Sequence, residues 1–125
     1  MSEPTIERAT VTVGIAHLAL ALLTVIDRAG YGGRPEGVLG TAAEHPAWAP
    51  IHLAIGLLVL ASVATQKRRT PALCLSFGAL GCWSTFMWLW AIRLEPDATW
   101  AVAILGFALA GVSLALSGLW ADREV

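Results

Sequence analysis

The sequence predicts an all-α protein, a four-helix transmembrane bundle with antiparallel neighbours, and three observations carry that prediction. The 125-residue chain is 57% hydrophobic and 14% charged, whereas ordinary soluble domains carry roughly 25% charged residues. The apolar residues fall in four long, continuous runs, and short polar or proline-containing connections separate them. A soluble domain of this length buries only part of its surface, so lipid is the expected cover for the remainder. Backbone groups in hydrocarbon must pair within their own segment or within a closed barrel. The runs are too long and too continuously apolar for barrel strands. Residues 1–125 therefore read as one integral membrane domain.

The polar lead, Met1 to Arg8, contains Pro4, which suits a helix start, so the first helix is expected to begin ahead of its apolar run. Glu3 and Glu7 make this lead unlike a cleavable signal peptide, and no lipidation pattern is visible. The first span covers 9–26 and stops at Asp27 and Arg28. The long outer loop, 27–48, is glycine-rich in its first half. It has room for a short surface helix over 35–44, and it ends with Trp48 between Pro46 and Pro50. The second span, 49–65, is near the short limit for crossing a bilayer. Gln66 to Arg69 stop it. Thr70 followed by Pro71 reads as a hydroxyl cap and a first helical position, opening the third span at 71–92. Arg93 to Pro96 turn the chain, and Asp97 is placed to cap the fourth span, 98–121.

The fourth run, WAVAILGFALAGVSLALSGLW, holds no charge and no proline from Trp100 to Trp120. As a helix it sets these tryptophans roughly 30 Å apart, about the thickness of a hydrocarbon core. Trp48, Trp88, Trp90, Trp100 and Trp120 are therefore expected as interface anchors. Trp83 sits deeper and is expected to face a neighbouring helix. Arg8, Lys67, Arg68, Arg69 and Arg123 fall on one side of a four-span layout, against Arg28, Arg34 and Arg93 on the other. The richer side belongs in the cytoplasm. The expected location is the bacterial cytoplasmic (inner) membrane, with both termini cytoplasmic and the glycine-rich loop outside.

Few residues suggest chemistry. The net charge of -1 argues against a nucleic-acid partner. Cys74 and Cys82 are separated by about 12 Å of helical rise, too far for a disulfide, and read as free thiols. Gly30-Tyr31-Gly32-Gly33 lacks the Lys and Ser/Thr of a phosphate loop. No catalytic residue, metal site or cofactor is expected, and the chain does not read as an enzyme. No span carries Asp, Glu, Lys or Arg between its ends, which argues against a proton-coupled transporter. Small multidrug exporters match in outline, but their first-span carboxylate has no counterpart here.

His17 is the one ionisable residue near mid-bilayer, a position that marks functional candidates. Two readings stand: a neutral imidazole bonded to a neighbouring helix, with Ser62, Thr85 or Ser113 as partners, or a functional polar site. His52 reads as an interfacial polar tip and His45 as solvated. His17-Leu18-Ala19 with Leu22-Leu23 matches His52-Leu53-Ala54 with Leu57-Leu58 at the same offsets, which suggests two histidines gripping one haem iron. Counting from the span ends sets them roughly 8 Å apart in depth and argues against it. Small residues recur four apart as Gly106/Ala110, Gly111/Ala115 and Gly78/Cys82. That spacing lets helix backbones approach closely, either within the bundle or between copies.

In size, four short spans and poverty of polar motifs, the whole chain resembles in outline the holin-like membrane proteins of bacteriophages. The resemblance implies a protein that oligomerises, permeabilises the cytoplasmic membrane, and so releases or activates an endolysin. Its partners would be the lipid bilayer and other copies of itself. Two alternatives stand beside it. One is a structural or accessory subunit docked on a membrane protein partner through the Trp-rich third span. The other is a redox or small-solute carrier that uses His17.

Overall fold

The computed structural model describes residues 1–30, 45–94 and 97–124; the side chains of 27–30, 90, 91, 93, 94 and 97–100 lie outside that description. The described chain forms four long helices: α1 (Glu3–Gly30), α2 (Trp48–Thr65), α3 (Arg69–Leu94) and α4 (Asp97–Glu124). Each is long and apolar enough to cross a membrane, with mean hydropathy between 1.5 and 2.2 in its best window. The expected all-α four-helix bundle is what the chain forms. The glycine-rich segment, and the surface helix expected over 35–44, fall outside the described residues.

The distribution of side chains is inverted relative to a soluble protein. Thr10, His17, His52, Ser76, Ser84 and Ser113 are fully buried, while Ile15, Leu22, Leu23, Leu57, Ile104, Leu105 and Leu114 are more than half exposed. In water this arrangement would leave a large apolar surface bare. In lipid the exposed leucines cost nothing, and most of the buried polar side chains find hydrogen-bond partners inside, Ser84 Oγ and His52 Nε2 being the exceptions among these six.

The helices pack as two hairpins, α1 with α2 and α3 with α4, and the two hairpins meet along a looser seam. In the first hairpin, Gly14 and Gly56 face each other. A Cβ on Gly56 would lie 3.0 Å from the Gly14 carbonyl and 3.1 Å from His17 Cβ. This close approach sets how far α1 slides along α2. In the second hairpin Gly106 plays the same part, lying directly beneath Ser84 and Trp83.

The helices extend beyond their apolar runs. α1 starts at Glu3, as Pro4 foreshadows, and continues through Asp27 and Arg28. α3 starts at Arg69, so Thr70 is already helical and does not cap. Glu124 does that work: its carboxylate accepts from the Arg69 N–H at 3.1 Å and from the Thr70 hydroxyl at 3.0 Å. An acidic side chain suits this position, because the first N–H groups of a helix have no partner within it. α2 ends by passing its last carbonyls to the next turn, with Gln66 N–H donating to Val63 O and Lys67 N–H to Ser62 O. Gln66 and Arg68 both take left-handed backbone angles, φ 56° and 59°, where glycine is usual.

Both termini lie at one end of the bundle, where Arg123 Nη2 donates to the Met1 carbonyl at 3.2 Å. Two of the expected interface anchors have buried side chains that do not face lipid. Trp48 is packed on His52, and Trp120 is buried with its indole N–H donating to Thr10 Oγ1 at 3.0 Å. A buried indole N–H needs an acceptor, and Thr10 supplies one across the seam. Trp88 is half-buried, edge-on to Phe107. The side chains of Trp90 and Trp100 are outside the described set.

Candidate functional site

The centre of the bundle holds one continuous chain of polar side chains, with a member from every helix. His17 on α1 and His52 on α2 meet Nδ1 to Nδ1 at 2.9 Å. His17 Nε2 lies 2.7 Å from Ser76 Oγ on α3. Ser76 Oγ lies 2.9 Å from Ser113 Oγ on α4, and Ser113 donates to its own helix at Leu109 O, also at 2.9 Å. All four side chains are fully buried.

Proton counting orients the chain. Each serine has one hydroxyl proton, and a neutral imidazole carries one N–H. If Ser113 donates to Leu109 O, then Ser76 donates to Ser113, His17 Nε2–H donates to Ser76, and His52 Nδ1–H donates to His17 Nδ1. His52 Nε2 is then a bare lone pair. Running the chain the other way leaves His52 Nε2 with a proton and no acceptor. In both directions the chain ends at His52 Nε2, a buried atom with no hydrogen-bond partner among the described residues. Trp48 stacks on the His52 ring at 5.9 Å, and Trp83 meets it edge-on at 5.4 Å. The open end of the polar chain is therefore walled by aromatic faces.

His52 is thus a core residue and not an interfacial tip, and the depth offset between it and His17 does not exist. The span-end count treated the ends of the two apolar runs as level. The helices are instead registered by the contact of Gly14 with Gly56 and Leu60, and α1 projects beyond its run. Of the partners expected for His17, Ser113 is one link further along the chain. Ser62 and Thr85 spend their hydroxyls on Val59 O and Gly81 O of their own helices. With their Nδ1 atoms hydrogen-bonded to each other, the two rings do not face a common iron. His45 is exposed and accepts from Ala47 N–H.

The small residues divide between two faces. Gly106 and Ala110 are buried, as are Ser113 and Ser117. Gly78, Cys82, Gly111 and Ala115 face outward. A Cβ added at Gly78, Gly81, Gly111 or Gly118 would meet nothing within 4 Å. Cys74 and Cys82 are free and exposed, flanking Gly78 on the outer side of α3. At the end that holds both termini, an open cleft of about 720 Å³ is lined by Glu3, Gln66, Lys67, Arg68, Arg69, Trp120, Arg123 and Glu124.

Comparison of the chain with protein-family models, with curated proteins and with solved structures gives no match. The fold and site define a class by themselves: a small four-helix membrane bundle with a hydrogen-bonded polar core and an apolar, partly glycine-lined exterior.

Proposed function

We propose that this protein acts by assembling in the cytoplasmic membrane, and that the assembly permeabilises it as the holin-like proteins that the chain resembles do. The observation that carries this reading is the open side of Gly78, Gly81, Gly111 and Gly118. A helix-interior glycine costs about 1 kcal/mol relative to alanine, and no contact among the described residues offsets that cost here. A small-residue face turned to lipid lets a second helix approach its backbone closely. The polar chain supports the permeabilising step. Its His17–Ser76 link and the Trp120–Thr10 bond both cross the seam between hairpins. Hairpins that part along this seam within an oligomer turn hydroxyls and imidazoles toward one another, as the lining of a water-filled path requires.

Induced expression of the chain alone in a bacterium tests this. Collapse of membrane potential and loss of viability are expected, and their absence at full membrane expression contradicts the reading. Gly78→Leu with Gly111→Leu should insert normally and not depolarise.

A second reading is favoured by the unpartnered His52 Nε2: a redox or small-solute carrier working through His17 and His52. Under it, His17→Ala abolishes activity while self-association persists. The outer ridge would equally receive a helix of another protein, the accessory-subunit alternative, and co-purification of a stoichiometric partner would decide for it.

A further inference from the structure

We propose that the cleft at the end of the bundle that holds both termini is a binding site for a phosphate oxyanion, supplied by the headgroup of an anionic phospholipid. The site brings four cationic side chains, Lys67, Arg68, Arg69 and Arg123, against two carboxylates, Glu3 and Glu124. The two carboxylates offset only part of that charge, and neither forms an ion pair with a cationic side chain among the described residues. Glu124 is engaged in capping α3, and no ion pair joins Glu3 to any of the four among the described residues. Arg123 spends its guanidinium on the carbonyls of Leu119 and Met1.

Arg69 is the decisive residue. Its side chain is 94% buried, being only 6% exposed. Its guanidinium carbon lies 3.9 Å over the Trp120 ring, and its Nε has no hydrogen-bond partner. A buried guanidinium normally has a counter-anion, because removing its hydration is costly unless the charge is paired. The ring face of Trp120 offsets part of that cost but gives Nε, an in-plane donor, no acceptor. The guanidinium N–H donors form a planar fork that matches two oxygens of one phosphate. The flat face of the fork rests on tryptophan, and its Nε is short of an acceptor.

The position selects the source. The cleft is built from the α2–α3 turn, the start of α1 and the last turn of α4, where the apolar helices end. That is the level of lipid headgroups, and basic pockets there recognise anionic lipids. Lys67 and Arg68, both exposed, add attraction for a net negative headgroup over a zwitterionic one. The site is independent of how many copies assemble.

Native mass spectrometry and thermal unfolding of the full chain in a neutral detergent test this with three probes: phosphatidylglycerol, phosphatidylcholine and inorganic phosphate. Retention of one phosphatidylglycerol per chain is expected, with a rise in Tm and at least tenfold weaker retention of phosphatidylcholine. Arg69→Gln should weaken phosphatidylglycerol about tenfold. Lys67→Gln, at an exposed position that leaves the fold untouched, should weaken it severalfold and keeps the test decisive if the Arg69 variant misfolds. Inorganic phosphate that binds as well as the lipid, and is lost in the same variants, would support the oxyanion site with a soluble source. Equal retention of both lipids, or phosphatidylglycerol binding unchanged in both variants, would overturn the proposal.

Discussion

The two hairpins use the same residue for opposite ends. In α1 and α2, Gly14 and Gly56 point inward and are closed over: a Cβ at Gly14 would fall 2.8 Å from Leu60, and one at Gly56 3.0 Å from the Gly14 carbonyl. In α3 and α4, Gly106 is likewise closed over, but Gly78, Gly81, Gly111 and Gly118 point away from the bundle into open space. The inward glycines set distances within one chain. The outward ones have no such duty, and their cost to helix propensity makes sense if a second helix lies against them. Spacing alone does not tell the two kinds apart, since Gly106/Ala110 and Gly111/Ala115 share one interval and one helix yet fall on different faces.

The largest expected effect lies at the residue that ties the hairpins together. His17→Ala leaves the buried His52 ring with no hydrogen-bond partner, takes from Ser76 one of its two, and opens a cavity at the centre of the bundle. A loss of about 3 kcal/mol is expected from detergent-titrated unfolding, while Ser76→Ala, which spares the His17–His52 bond, should cost less. Next comes Gly56→Ala. Its added methyl meets backbone at Gly14 and cannot be accommodated by a rotamer change, so overpacking of about 2 kcal/mol is expected in the same measurement. Trp120→Phe abolishes the N–H bond to Thr10 and leaves a void where the second ring was, and about 1.5 kcal/mol should be lost. Smallest is Gly118→Ala, which meets nothing and should change the stability of the single chain by no more than about 0.5 kcal/mol. If Gly118→Ala proved as damaging as Gly56→Ala, the division into inward and outward glycines would fail.

The fold was legible because four apolar runs near bilayer length admit little but helices. The faces of those helices were much harder to read. Runs that are apolar all round lose the periodicity that marks the inner side of a soluble helix, so the burial of the Trp48 and Trp120 side chains inside the bundle was not legible. Polar residues carried the missing signal. Ile6, Thr10, Val13, His17 and Ala21 form the buried stripe of α1, and Ser76, Leu80, Ser84 and Met87 that of α3. Each stripe advances by three or four residues, the interval of a bundle seam. Following the hydroxyls and imidazoles at that interval points inward in every span, to Ser113, Ser117 and Trp120 in α4 and to His52, Gly56, Val59 and Ser62 in α2.

His17 was legible as a buried polar residue, but its partner was not. Depth counted from run ends carries an error of several residues when one helix projects beyond its run, as α1 does. The repeated His-Leu-Ala wording was the better guide, since it marks the two histidines that do meet. The basic cluster Lys67–Arg69 read as a topology signal. Its division into two exposed cations and one buried guanidinium stacked on a tryptophan 51 positions away has no local signature in the chain.

Cys74 and Cys82 stand on either side of Gly78 on the outer face of α3, so the chain carries its own probes of the proposed assembly. Crosslinking of these thiols in native membranes with a short bifunctional maleimide tests the association directly. A ladder of covalent dimers and higher species is expected, abolished in Gly78→Leu and in the double Cys→Ser variant. A chain that stays monomeric at every expression level, with both thiols reactive to a monofunctional maleimide, would contradict assembly through this face.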